Sequence, residues 1–457
     1  MPDVESTVFA AQLLFWILLP CVLVAPLRWA ILAWLIMGNL DATGPTLAVS
    51  SDVGWINATK GILLPLYLWF RLRKVPSEIQ YSWPVKLWTA LALYAGVASL
   101  WSPFPVAAAK LVGNMVGILL MIIVLEKAAR RDFLNSRAIN ILIVASILLA
   151  SLQTFYFGGA VFGFDGVDQP SRFSSFVSAQ QYTAFLVAFL AAVLWDRHSG
   201  VWTRTFLILS IAAGIILNGS RTWFFGAFLV FLVYAWLSLK NVAIYVPIAA
   251  ATVSLGLLYA VNVNPMKFDL LVDSSSRIAA TFSALATGED TARNVGLANL
   301  KFRLAIYQGA FDEIRGAGPR DLILGHGTSS GGNVILRVYP HSYSVERLDP
   351  NRAIHNEWLR ALYEWGILGI ALLVGVFASL IVSLIVIRRG ESSLGSWAVL
   401  SFLPAFLLAF TTENVIAGAG NAVTMSLGLI LALLWIPKSG GRTRKPFLGN
   451  YASSAHH

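Results

Sequence analysis

The chain has 457 residues, of which 57% are apolar and only 12% charged, and its formal net charge is +10. Soluble domains average about 25% charged residues, so this composition excludes an ordinary soluble protein and predicts an all-α chain that crosses a membrane many times. Apolar runs approaching the ~20 residues of a spanning helix recur, whereas the ~10-residue alternating segments of a β-barrel do not occur. The surplus Lys and Arg fall mostly in short loops between apolar runs, where the positive-inside rule expects them, so the basicity calls for no nucleic-acid partner. The lone cysteine, Cys21, excludes an intramolecular disulfide.

In chain order, Val8 to Ala25 reads as a retained span rather than a cleaved signal, because it lacks a basic leader and a small-residue cleavage site. Trp29 to Leu40 is a short apolar run. Trp55 to Phe70 ends in Arg71-Leu72-Arg73-Lys74, a cytoplasmic marker. Further spans are expected at Val85 to Trp101, Val106 to Leu125, Ile139 to Phe157, Tyr182 to Trp195, Phe206 to Leu217, Trp223 to Leu239, Val242 to Val261, Gly366 to Ile387, Trp397 to Phe410 and Asn421 to Ile436. This threading puts the Lys/Arg clusters that border short loops on one side. It leaves a large outer loop before the last three spans and predicts about twelve crossings. Four segments follow: transmembrane helices over 1–261, an outer cap over 262–363, transmembrane helices over 364–437, and a cytoplasmic basic tail over 438–457, whose last seven residues read in part as a vector-derived tag.

The outer loop carries eleven Lys/Arg against ten Asp/Glu between Asn262 and Tyr363. Its helical patterning at Ser275 to Leu285 and Val295 to Ile314 predicts a folded, partly helical cap. A loop of this length in a compact protein is usually functional or disordered.

The cap also holds three of the six histidines, His326, His341 and His355. His355 stands in His355-Asn356-x9-Gly366-x-x-Gly369, at a junction between loop and helix. An imidazole there serves as a general base or merely caps the following helix; spacing alone leaves both readings open. His326, in Gly325-His326-Gly327, reads as loop geometry. Arg221, in Asn218-Gly219-Ser220-Arg221, is either a snorkelling arginine, the commoner case, or an anion clamp. Arg303 and Tyr307 are one helical turn apart and share a face, for which a solvated surface is the plainer reading. Arg172, in Gln169-Pro170-Ser171-Arg172, stands ahead of a span and reads equally as an interfacial anchor. The sequence holds no P-loop, no His/Cys/Asp cluster with metal-ligand spacing and no carboxylate deep within the apolar runs. The last point argues against an ion-coupled transporter.

Together these elements resemble the O-antigen ligases and the wider ligase/polymerase superfamily of bacterial polysaccharide enzymes. The resemblance rests on the spans, the large loop before the last helices, and the His355-Asn356-x9-Gly366-x-x-Gly369 signature. Arg172 before a span, Ser220-Arg221 opening the next, and Arg303 with an aromatic four residues on, followed by Gly325-x-Gly327, add to it. It implies a twelve-helix GT-C-like glycosyltransferase of the bacterial inner membrane, monomeric and without metal or other cofactor, with its site on the periplasmic face. The implied donor is undecaprenyl pyrophosphate-linked O-antigen, the acceptor is lipid A–core oligosaccharide, and the transfer inverts the anomeric centre among membrane lipids. His355, Arg221 and Arg303 are then the expected catalytic residues, and Arg172, Asn356 and Tyr307 the substrate-binding ones. An O-antigen polymerase or a protein O-oligosaccharyltransferase would share the signature and differ in acceptor. A transporter of lipid-linked glycans is the reading from another class.

Overall fold

The computed structural model describes residues 4–40, 54–157, 173–177, 179–196, 198–238, 295–340, 350–352, 354–390, 394–416 and 422–435. The expected span Val242 to Val261, the expected helix Ser275 to Leu285, Arg172, His341 and the tail from residue 438 lie outside them. Among the described residues there is no β-strand; an isolated parallel bridge pairs Leu40 with Phe176. In a hydrocarbon environment a helix satisfies its own backbone, which is why apolar sequence of this kind becomes helix. Five described helices are long and apolar enough to cross a membrane: Pro105–Arg130, Ser136–Phe157, Val201–Asn218, Glu357–Val386 and Gly395–Thr412. Shorter apolar helices include Leu27–Met37, Gln180–Trp195 and Val423–Ala432.

The chain divides into two compact units. The first comprises Met1–Ile56, Ser136–Phe302 and Ala398–Ala409. Its helices include α1 (Val4–Val24), α2 (Leu27–Met37), α3 (Ser136–Phe157), α4 (Ala179–Trp195), α5 (Val201–Asn218) and α6 (Arg221–Leu237). From Tyr182 to Trp195 every residue of α4 is buried, as expected of a helix that is apolar all round. It packs on α5 and α6. A polar knot locks the approach to α4: Ser146 donates to Asn39 Oδ1 (2.8 Å), Ser175 donates to the Asn39 carbonyl (3.1 Å), and Tyr182 donates to the Ser146 carbonyl (3.3 Å).

The second unit comprises Asn57–Asn135, Arg303–Trp397 and Phe410–His457. It contains α7 (Trp83–Ala98), α8 (Pro105–Arg130), the main part of α9 (Val295–Gly316), α10 (Pro319–Leu324), α11 (Gly332–Val338), α12 (Glu357–Gly390) and α13 (Ala422–Ala432). Helix α7 packs along α12, and α13 along α8. The helix expected within the cap at Val295 to Ile314 is present as α9.

Helix α12 begins at Glu357, nine residues ahead of the Gly366 start read from the sequence. The first stretch carries Glu357, Arg360 and Glu364, and such charges read as loop. In the structure all three are fully buried (0% exposed), so the expectation that no carboxylate lies deep in the apolar helices does not extend to this one. Most of their polar atoms are answered locally, though the buried Arg360 Nε has no hydrogen-bond acceptor among the described residues. Glu357 and Arg360 form an ion pair, and Arg360 also donates to the Asn351 carbonyl (3.0 Å). Glu364 accepts from the backbone N–H groups of Ser329 (2.8 Å) and Gly331 (3.3 Å).

Gly366 kinks α12 at φ 62°, ψ −161°. A break in the helical ladder leaves carbonyls to be satisfied elsewhere. Just before it, the Tyr363 carbonyl accepts from His326 N–H and the Glu364 carbonyl from Gly327 N–H, both at 3.0 Å. The loop can come this close only because of glycine: a Cβ on Gly366 would lie 2.4 Å from the Ile323 oxygen, and one on Gly325 would lie 2.3 Å from the Glu364 oxygen. Gly325-x-Gly327 and Gly366 are therefore two sides of one backbone contact.

Candidate functional site

Asn356 caps α12. Its Oδ1 accepts from the backbone N–H of Trp358 and of Leu359, both at 3.0 Å, the usual service of an N-cap asparagine. The capping role left open for His355 thus falls to its neighbour.

His355 is half-buried, held by its backbone and its ring separately. Its carbonyl accepts from the Tyr307 hydroxyl (2.6 Å). Its Nδ1 lies 3.0 Å from the Asn414 side-chain nitrogen. Burial pushes the Tyr307 phenol up to about 12, with Glu413 raising it further and Arg303 opposing. The hydroxyl therefore stays protonated and able to donate throughout the neutral range.

Arg303 lies one turn before Tyr307 on α9, as the spacing indicated, and both side chains face this corner. Its guanidinium donates to the Thr412 carbonyl and stands 3.7 Å from the Glu413 carboxylate. Its buried Nε has no acceptor among the described residues. The ion pair is single and loose, so the planar fork keeps donors to offer to an anion.

The segment Thr412 to Ile416 closes the corner. Besides Arg303 and His355 it engages Glu357, whose Oε1 accepts from Ile416 N–H (2.7 Å). Trp358 packs on Phe377 and Phe410 with ring centroids 5.2 and 5.3 Å apart, which fixes the start of α12 beside the residues that lead into this segment. In the sequence Glu413 and Asn414 fall between the expected spans Trp397 to Phe410 and Asn421 to Ile436 and belong to no motif. An acid and an amide side by side in a turn between two apolar runs were the available signal.

Arg221 is the first residue of α6, and its side chain, like all of Arg172, is outside the described residues. The backbone around them is informative. Gly219 (φ 66°) ends α5 in the left-handed conformation, which turns the chain within two residues into α6. Asn218 Nδ2 donates to the Phe173 carbonyl (2.7 Å), so Phe173, the next residue after Arg172 in sequence, is tied to the turn that leads into Arg221. That turn belongs to the first unit. In the second unit the structure brings Arg303, Tyr307, His355 and Asn356 together.

His326 is structural, in line with its reading as loop geometry. Its ring stacks on Tyr363 at 4.4 Å, and Tyr363 in turn donates to Glu313 (2.6 Å). Among the described residues no group of three His, Cys, Asp or Glu could hold a metal ion.

Long apolar helices around a polar corner of arginine, histidine, tyrosine and amide are the make-up of a multi-pass membrane protein. A family model for O-antigen ligase matches residues 205–374, a stretch that contains Arg221, Arg303, Tyr307, His355, Gly366 and Gly369. Over that stretch the chain is similar to the O-antigen ligase family. No curated protein matches the chain closely.

Proposed function

We propose that the protein is an O-antigen ligase, transferring the glycan from undecaprenyl pyrophosphate to lipid A–core oligosaccharide at the periplasmic face of the bacterial inner membrane. The observation that carries this reading is the pairing of His355 with Arg303 through one short segment: Asn414 meets the imidazole while Thr412 and Glu413 meet the guanidinium. A proton acceptor and an anion binder side by side are what this displacement needs. The acceptor hydroxyl attacks the anomeric carbon, and the bond from that carbon to the pyrophosphate oxygen breaks. The hydroxyl proton passes to His355. The charge left on undecaprenyl pyrophosphate is met by arginine through charge-assisted hydrogen bonds: Arg303 is the one beside His355, and Arg221 and Arg172 are further candidates for that role. Attack opposite the leaving group inverts the anomeric centre. The polyprenyl tail lies along apolar helix faces and needs no dedicated motif.

Two expected outcomes check this. Purified protein supplied with lipid-linked O-antigen and lipid A–core makes full lipopolysaccharide, seen as a ladder on a gel. Extension of the lipid-linked chain alone would identify a polymerase, and transfer to protein an O-oligosaccharyltransferase. Because arginines take the place of a divalent ion in this scheme, the same reaction proceeds undiminished in excess EDTA. Loss of transfer that added magnesium or manganese restores would overturn the metal-independent mechanism.

A further inference from the structure

Asn414 meets His355 at one of its two ring nitrogens, Nδ1. A neutral imidazole carries one proton, on either Nδ1 or Nε2, and the partner of one nitrogen decides the state of the other. If His355 takes a proton from the acceptor through Nε2, Nδ1 must hold the ring proton and needs an acceptor. The Asn414 atom that stands 3.0 Å from Nδ1 is its amide nitrogen; a half-turn of the amide, which leaves its shape unchanged, puts the oxygen in nearly the same place, and it is in that orientation that the side chain can accept from Nδ1–H. Its backbone is anchored on both sides: Thr412 and Glu413 by Arg303, and Ile416 by the fully buried Glu357. The amide therefore sits on a fixed support, whichever way it faces.

We propose that Asn414 is a positioning residue for the transfer reaction, accepting the Nδ1 proton of His355 through its amide oxygen and so leaving Nε2 bare toward the acceptor hydroxyl. This rests on the assignment of His355 as the base. Charged groups around the pair come from each packed element: Arg303 from α9, Glu357 and Arg360 from the start of α12, and Glu413 from the segment itself. These charges are engaged with one another and with backbone groups, while the position at Nδ1 is taken by the neutral amide of Asn414.

The test uses the full-length protein in detergent or liposomes with lipid-linked glycan and lipid A–core. Asn414→Leu, similar in size without the polar end, is expected to lower kcat about 100-fold with KM for the donor unchanged, a loss typical of a misplaced catalytic group. Asn414→Asp keeps an acceptor for Nδ1 and is expected to retain turnover within about tenfold. In a His355→Ala background, Asn414→Leu is expected to add nothing, because residues acting as a unit are non-additive. Wild-type turnover in folded Asn414→Leu overturns the proposal, as does an Asp variant as slow as the Leu variant, or a further loss on top of His355→Ala. Should His355→Ala itself keep wild-type turnover, the base assignment fails instead, and the two failures are told apart by that single variant. Thermal unfolding of each variant shows that loss of turnover is not loss of fold.

Discussion

Replacing His355 by alanine is expected to lower glycan transfer by about 10²- to 10⁴-fold, the range of a general base, in a protein that still folds. The structure explains why folding survives. The Tyr307 hydrogen bond goes to the His355 backbone carbonyl, which alanine keeps, and the helix cap is supplied by Asn356. What goes is the imidazole, and with it the contact to Asn414. Arg303→Ala is expected to cost about 10²- to 10³-fold, by analogy with removal of one donor to a developing oxyanion. Arg303→Lys should recover only part of this, since an ammonium lacks the planar fork. Arg221→Ala is expected to behave like Arg303→Ala. Lipopolysaccharide ladders from cells carrying each variant, with membrane abundance measured alongside, decide the matter. Near-normal ladders from His355→Ala and Arg221→Ala would end the mechanism.

The second large effect is on stability. Gly366→Ala is expected to destabilise the protein by about 3 kcal/mol or more and to lower its yield in the membrane. A side chain at positive φ with ψ near 180°, a conformation essentially confined to glycine, costs about 1–3 kcal/mol. In addition, the new Cβ would lie 2.4 Å from the Ile323 oxygen and 2.7 Å from the Gly325 nitrogen, backbone atoms that cannot step aside without breaking the bonds from His326 and Gly327 to α12. At Gly316 and Gly318 an added Cβ would meet nothing within 4 Å, and neither has a positive φ. Alanine at either is the matched control and should leave stability within about 0.5 kcal/mol. Thermal unfolding in detergent measures the difference. Equal midpoints for Gly366→Ala and Gly318→Ala would show that the kink is not required.

The kink also shows how site and scaffold are joined. Gly366 lies in the helix that follows His355 directly, and the loop it admits binds α12 through Tyr363 and Glu364. A change there shifts the helix that holds the base in place. Partial Gly366 variants that fold are therefore expected to lose turnover before they lose donor binding.

The helices were legible because burial in a membrane demands long apolar runs, and the charges between those runs mark their ends. Ser136–Phe157, Val201–Asn218 and Val295–Gly316 agree with the runs and periodicity in the sequence within a few residues. The signature residues were legible as a set, and Arg303 and Tyr307 as a shared face, because a helix fixes what lies one turn apart. The start of α12 was not legible. Glu357, Arg360 and Glu364 look like loop residues until tertiary contacts supply their partners: an ion pair within the helix, the Asn351 carbonyl, and the N–H groups of Ser329 and Gly331. Nor was the division of labour between His355 and Asn356, since either type can end a helix and only the hydrogen bonds tell which does. Asn414 was hidden for the same reason at longer range, its partner being 59 residues away in sequence. The sequence by itself determined a multi-pass, helical protein, because solvent transfer acts on each segment alone. Which polar groups meet was decided only by the tertiary structure, because a buried hydrogen bond depends on two distant segments arriving at one place.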